Sequence, residues 1–154
     1  MKKYWLMKTE PATFSIDDLE RDKTCHWEGI RNYQARNIMR DEFQVGDEVL
    51  IYHSSTKIPG AAGIAKVVKE AYPDFTAWDT KSKYFDKRST PENPVWLMVD
   101  LEFVSRFLHF VSITEIKNNP KLDGIMVAKR GMRLSIQPLS KEHFEIIKRA
   151  GMET

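Results

Sequence analysis

A single cysteine in 154 residues, Cys25, leaves the chain without an internal disulfide and points to a reducing compartment. Zinc has no thiolate set either, and His26, His53, His109 and His143 show neither HxxxH nor HExxH spacing, so a metal site has no motif behind it. Neither a GxGxxG nor a GxxxxGK loop is present to cradle a nucleotide phosphate, and there is no GxSxG elbow for a serine nucleophile. No stretch approaches the ~20 apolar residues of a membrane span. Behind the basic start Met1-Lys2-Lys3, Glu10 and Pro11 arrive too soon for a signal peptide. Charge of one sign is also missing: 24 basic and 22 acidic residues leave a net +2, so a nucleic-acid partner would have to be met by local clustering. The seven glycines and seven prolines are scattered, which argues against disorder. These absences describe a cytosolic protein, or a nuclear one in a eukaryote, with no cofactor and no membrane partner. The length suits one domain spanning residues 1–154, with enough chain to bury a core.

What is present is helix-start grammar and short strands. Ser15 is followed by Asp18 at the third helical position, with Phe14 and Leu19 placed as a hydrophobic staple; Ser112 with Glu115, Val111 and Ile116 repeats the pattern. Ser140 has Leu139 and Phe144 in the same relation, with His143 in place of the acid. The spacing predicts helices over 15–23, 112–118 and 140–150, the second stopped by Asn119-Pro120 and the third by Gly151. A fourth runs from Asn32, a cap, to about Glu42; its Arg36 and Arg40 share a face that is either solvated or turned to phosphate. Strands are expected at 4–8, 48–53, 62–68, 95–104 and 133–137. The stretch from Pro73 to Pro94 reads as a long loop with a strand fragment at Lys83-Tyr84-Phe85, a mobile rim for whatever site the fold builds. Strands interrupted by capped helices without regular alternation indicate an α+β domain around a curved sheet.

Four blocks mix hydrogen-bonding with aromatic or apolar side chains: 5–11, 27–37, 52–54 and 133–138. Strand alternation puts Leu134 and Ile136 in the core and Arg133, Ser135 and Gln137 on the other face, which is either a solvated surface or one able to recognise a phosphate or a base edge. Trp27 beside the flexible Gly29, Arg31 and Asn32 is either core packing or one wall of a stacking slot. His53, closing a strand, reads as a hydrogen-bonded structural group unless a pocket wraps around it. Cys25-His26 reads as structural or incidental, because neighbours in sequence need not face each other. No carboxylate pair stands in a setting that marks it for acid–base work.

Together the blocks are similar to the EVE domain family. The resemblance runs through YWLMKTEP, FSIDDL, WEGIRNYQARN, GDEVLIYHS, PGAAGIAKV, AYPD and RLSIQP, with Ile30 where valine is expected and a looser match over 105–126. It implies a PUA-like pseudobarrel of mixed β-strands with short helices around it, akin to YTH and ASCH domains. It implies nucleic-acid binding without catalysis, chiefly as a reader of modified cytosine in DNA; the alternatives are a general RNA-binding accessory domain and, less favoured, an enzyme acting on a nucleotide or small molecule. Carried onto this chain, the base pocket comprises Thr9, Glu10, Trp27, Asn32, Tyr52, His53, Ser54, Ser135 and Gln137. Trp27 is one stacking wall and Tyr52 the second, while Asn32, Ser54 and Gln137 read the base edge. Lys8, Arg31, Arg36 and Arg133 hold the phosphate backbone. These residues are expected to converge on one hollow sized for a planar heterocycle.

Overall fold

The computed structural model describes residues 1–153. Its elements in chain order are β1 (Tyr4–Thr9), α1 (Ile16–Asp22), β2 (Thr24–His26), α2 (Tyr33–Glu42), β3 (Glu48–His53), β4 (Gly60–Pro73), β5 (Leu97–Ser112), α3 (Ile113–Lys117), β6 (Ile136–Leu139) and α4 (Lys141–Met152), with short 3-10 turns at Phe75–Trp78, Pro120–Leu122 and Met126–Ala128. The strands form one mixed sheet in the order β2-β5-β4-β3-β1-β6. β1 and β3 run parallel, with Trp5 opposite Val49 and Lys8 opposite Tyr52, so residues 10–47 form a crossover that carries α1, β2 and α2. β4 and β5 pair antiparallel over their long lengths with four register irregularities, which bend and twist the sheet.

Alternation along β1 and β3 explains why both read as unbroken apolar runs. Trp5, Met7, Val49 and Ile51 enter a core closed by Ile16 and Leu19 of α1 and Ala35 and Met39 of α2. Leu6, Leu50 and Tyr52 enter a second core, closed by Ile116 of α3 and Phe144 and Ile147 of α4. The inner strands are thus covered on both faces. Asp47, almost fully buried, binds the start of β1 to the turn before β3: its carboxylate accepts from Trp5 Nε1 (2.9 Å), Lys3 N (3.1 Å) and Gln44 N (3.0 Å).

The capping grammar holds. Ser15 and Asp18 form a reciprocal capping box, and Asn32, Ser112 and Ser140 each accept from an amide of the first turn. Three expectations are corrected. Gly151 does not stop α4 but lies inside it, because an added Cβ there would sit 2.3 Å from the Phe107 ring. Residues 83–85 form no strand; the Ser82 hydroxyl accepts from Tyr84 N in a turn. The last strand is Ile136–Leu139 rather than 133–137, and Gln137 stands opposite Leu6 on the face of the second core, fully buried.

His53 closes β3 and anchors α1: its Nε2 accepts from Ile16 N at 3.1 Å, which requires the neutral ring. Burial holds its pKa below the ordinary 6.5, with Asp17 pulling weakly the other way. A histidine whose folded pKa is depressed adds stability that is complete above its unfolded value and is lost as pH falls through the folded one. Melting temperature should therefore drop between pH about 7.5 and about 5, and His53→Gln, which keeps an acceptor but does not titrate, should shallow that acid limb.

Candidate functional site

A cavity of about 850 Å³ opens beside the C-terminal end of β1, between the crossover and the loop 74–96. Its walls come from Lys8, Thr9 and Glu10, from Phe14, from Cys25 through Arg31, and from Lys83, Tyr84, Asp100 and Ser135. β2 places the central stretch: Cys25 pairs with Leu101 and His26 with Asp100, and Trp27 N then donates to Val99 O at 2.7 Å. Trp27 is 7% exposed, its ring set edge-to-face against Phe14 at 6.1 Å, so it forms the back of the cavity with most of its surface in the first core.

Tyr84 forms a further part of the wall, and its placement rests on Asp74. That carboxylate is fully buried; Oδ2 accepts from Gly29 N (2.9 Å) and Arg31 Nη1 (3.0 Å), while Oδ1 accepts from Thr76 N (2.9 Å) and Thr76 Oγ1 (2.5 Å). Arg31 reaches across and donates to Tyr84 O from Nη2 (2.7 Å) and Nε (3.2 Å), and to Ile30 O from Nη1. The phenol ring then lies on Gly29, where φ is +86° and an added Cβ would be 2.6 Å from the ring. Further along the loop, Asp86 accepts from Trp96 Nε1 (2.8 Å) and Arg88; Arg88 first, then Trp96, holds its carboxyl well below the usual range.

The cavity is rich in carboxylates: Glu10, Asp22, Glu28 and Asp100 line it. Asp100 Oδ1 accepts from the Tyr72 hydroxyl and faces His26 Nδ1 at 3.0 Å, with Tyr72 Oη 2.9 Å from the same nitrogen. Burial, then the bond to Asp100, pushes the Tyr72 hydroxyl upward. Burial, then the nearby Asp74 charge, raises Glu28 above the ordinary 4.5. Burial pushes the Cys25 thiol up to about 12, so it stays protonated. Among the described residues no cluster of three metal-binding side chains forms, and no helix is long and apolar enough to cross a membrane.

The structure brings Lys8, Thr9, Glu10, Trp27, Arg31 and Ser135 together and leaves the other expected residues off the wall. Asn32 spends its side-chain oxygen on Ala35 N, capping α2. Tyr52 is packed in the second core, its hydroxyl pushed up to about 12 by burial. His53 holds α1, and Ser54 continues the β1 pairing through Ser54 N to Thr9 O. Gln137 donates to Leu134 O, and its Oε1 is buried without a partner. Arg36 lies over the Tyr33 ring, beside the Trp96 ring that packs against it, and donates to Val95 O. Arg133 is exposed, outside the wall. Even on the wall, Lys8 and Arg31 are committed: Lys8 Nζ donates to Met132 O at 3.0 Å, and burial lowers its pKa. Sequence reasoning missed Tyr84, Glu28 and His26; the available signal was the long loop, expected as a rim, and Gly29, which marks a close approach.

A family model described as the EVE domain matches residues 3–150. Thymocyte nuclear protein 1 of Gallus gallus is 44% identical over 163 residues, covering 94% of this chain and 66% of that longer protein. Among solved structures, a hypothetical protein from Leishmania major superposes with a TM-score of 0.92 at 47% identity, over 98% of this chain and 95% of that one. The human THYN1 protein in complex with 5-methylcytosine containing DNA superposes with a TM-score of 0.89 at 38% identity, over 99% of each chain.

Gly29→Ala should displace Tyr84 and cost about 1–3 kcal/mol in chemical denaturation, from overpacking and the positive φ together. Placed in a Tyr84→Ala background the same change should cost less, since only the backbone part remains; equal costs in both backgrounds would show that the ring does not rest on Gly29.

Proposed function

The chain belongs to the EVE domain family, and we propose that it is a non-catalytic reader of modified cytosine in DNA, with 5-methylcytosine its ligand. The supporting observation is the cavity, which has Trp27 and a fixed Tyr84 among its lining residues. Its size accommodates a flat base, and the PUA-like α+β fold sets it beside the end of the parallel strand pair. The human relative solved with 5-methylcytosine-containing DNA shares that fold over its whole length.

A base inside a duplex must first leave the stack, at a cost of a few kcal/mol. Contact with an aromatic wall returns roughly 1–3 kcal/mol. A close apolar surface, supplied here by Phe14, Trp27 and Ile30, rewards an added methyl group. The protonated Cys25 thiol offers no nucleophile, which favours binding over chemistry. Reading DNA places the chain with the genome, in the nucleus of a eukaryote.

Of the four cations first expected at the backbone, Arg133 keeps that role and is joined by others. Lys8, Arg31 and Arg36 are committed to carbonyl oxygens, whereas two tracts flank the cavity with exposed cations. One holds Lys81, Lys83 and Lys87 around Tyr84; the other holds Lys129, Arg130 and Arg133 just before Ser135, in a stretch from Gly124 to Lys141 that contains no carboxylate. None of these six pairs with a carboxylate among the described residues.

Trp27→Ala would remove a buried ring and cost about 3–5 kcal/mol, so unfolding would obscure its effect on binding. Trp27→Phe and Tyr84→Leu are the sharper tests. Each should lower affinity for a methylated duplex about tenfold while largely sparing affinity for the unmethylated one. Wild-type binding in both variants, or a clear preference for unmodified RNA, would refute the reading. Replacing Lys129, Arg130 and Arg133 by serine should weaken both duplexes alike and reduce the slope of log affinity against log salt by about 2.7, which is about 0.9 for each phosphate no longer neutralised.

A further inference from the structure

We infer that Glu28 makes the cavity choose the amino-bearing edge of 5-methylcytosine over thymine, a base with the same methyl group; the inference rests on the base-reading role above. Its foundation is which polar groups on the wall are still available. The strong donors are taken: Lys8 Nζ by Met132 O, the Arg31 guanidinium by Tyr84 O, Ile30 O and Asp74, and the Thr9 hydroxyl by Phe14 O at 2.7 Å. Lys83 stands over the Tyr84 ring, 5.1 Å from its centroid. Two of the four carboxylates are occupied as well, Asp22 by Arg21 and Asp100 by Tyr72 and His26.

Glu10 and Glu28 remain, with no side-chain donor among the described residues. Glu28 is the better placed. It lines the cavity directly after Trp27 and directly before Gly29, on which the Tyr84 ring lies. Glu10 belongs instead to the turn after β1, where its carbonyl accepts from Thr13 N and Phe14 N. The Glu28 side chain is exposed at the cavity wall, where partial desolvation and then the Asp74 charge raise its pKa, so an approaching N–H donor meets an acceptor that gains from it.

The two bases differ at this edge. Cytosine presents an exocyclic amine, which a carboxylate accepts from; thymine presents a carbonyl oxygen at the same position, and acceptor then faces acceptor. Thymine is also what 5-methylcytosine becomes when that amine is lost, so this hydrogen bond separates the modified base from its own deamination product.

The test uses the full chain and three duplexes that differ at one position, with 5-methylcytosine, cytosine or thymine opposite guanine, at pH about 8 where the carboxylate is ionised. A thymine–guanine mismatch flips out more easily than a paired cytosine, so the comparison is biased against the inference. Wild type should favour 5-methylcytosine over thymine by about tenfold or more. Glu28→Gln offers an amide that both accepts and donates, and should bring that ratio close to one with an unchanged melting temperature. Glu10→Gln should keep the ratio. No wild-type preference over thymine, an unchanged ratio in Glu28→Gln, or an equal collapse in Glu10→Gln would each overturn the assignment. Methyl-dependent binding that survives Trp27→Phe and Tyr84→Leu would instead overturn the pocket reading, and this inference with it.

Discussion

The buried Asp74 carboxylate is the constraint on which the site depends. A charge so deep is tolerated only because four donors converge on it, from Gly29, Arg31 and Thr76. Those donors come from the crossover and from the loop after β4, so satisfying Asp74 joins two segments that sequence separates widely. Arg31 then extends the connection to Tyr84, and Gly29 makes room for its ring. The second wall of the cavity thus follows from one solved electrostatic problem rather than from a preference of the loop itself.

A similar economy governs the remaining charges. Lys8, Arg31 and Arg36 serve the backbone of the protein, and the cations of the two flanking tracts carry no carboxylate partner among the described residues. Inside, Glu10 and Glu28 are carboxylates with no side-chain donor among the described residues. In the proposed reading a phosphate is met at the rim and an N–H-bearing edge on the cavity wall, an arrangement that suits a nucleotide turned out of its stack.

Much of the fold was legible because it depends on local chemistry. Serine and asparagine caps announced the four helices, and the twofold-buried strands β1 and β3 showed as apolar runs. β2, three residues long and held by pairing with distant β5, has no local signal strong enough to show. Gly151 misled because a glycine near a helix end usually stops it, whereas here the Phe107 ring requires its absence of side chain. The site was half legible. Motif position found Trp27 and the end of β1, but alternation failed for Gln137, since an edge strand covered on both faces has no outer side. Arg31 was recognised as important yet misread in role, because its partner Asp74 lies 43 residues away. Tyr84 stood in an irregular loop, where periodicity says nothing.

The cavity's residues run from Lys8 to Ser135, across a parallel strand pair whose crossover supplies the back wall. Such long-separation pairings are the slow, late steps of chain assembly. No fragment or half-folded intermediate can present both aromatic walls, so recognition is confined to the finished molecule and any occupant acts as a brake on its unravelling.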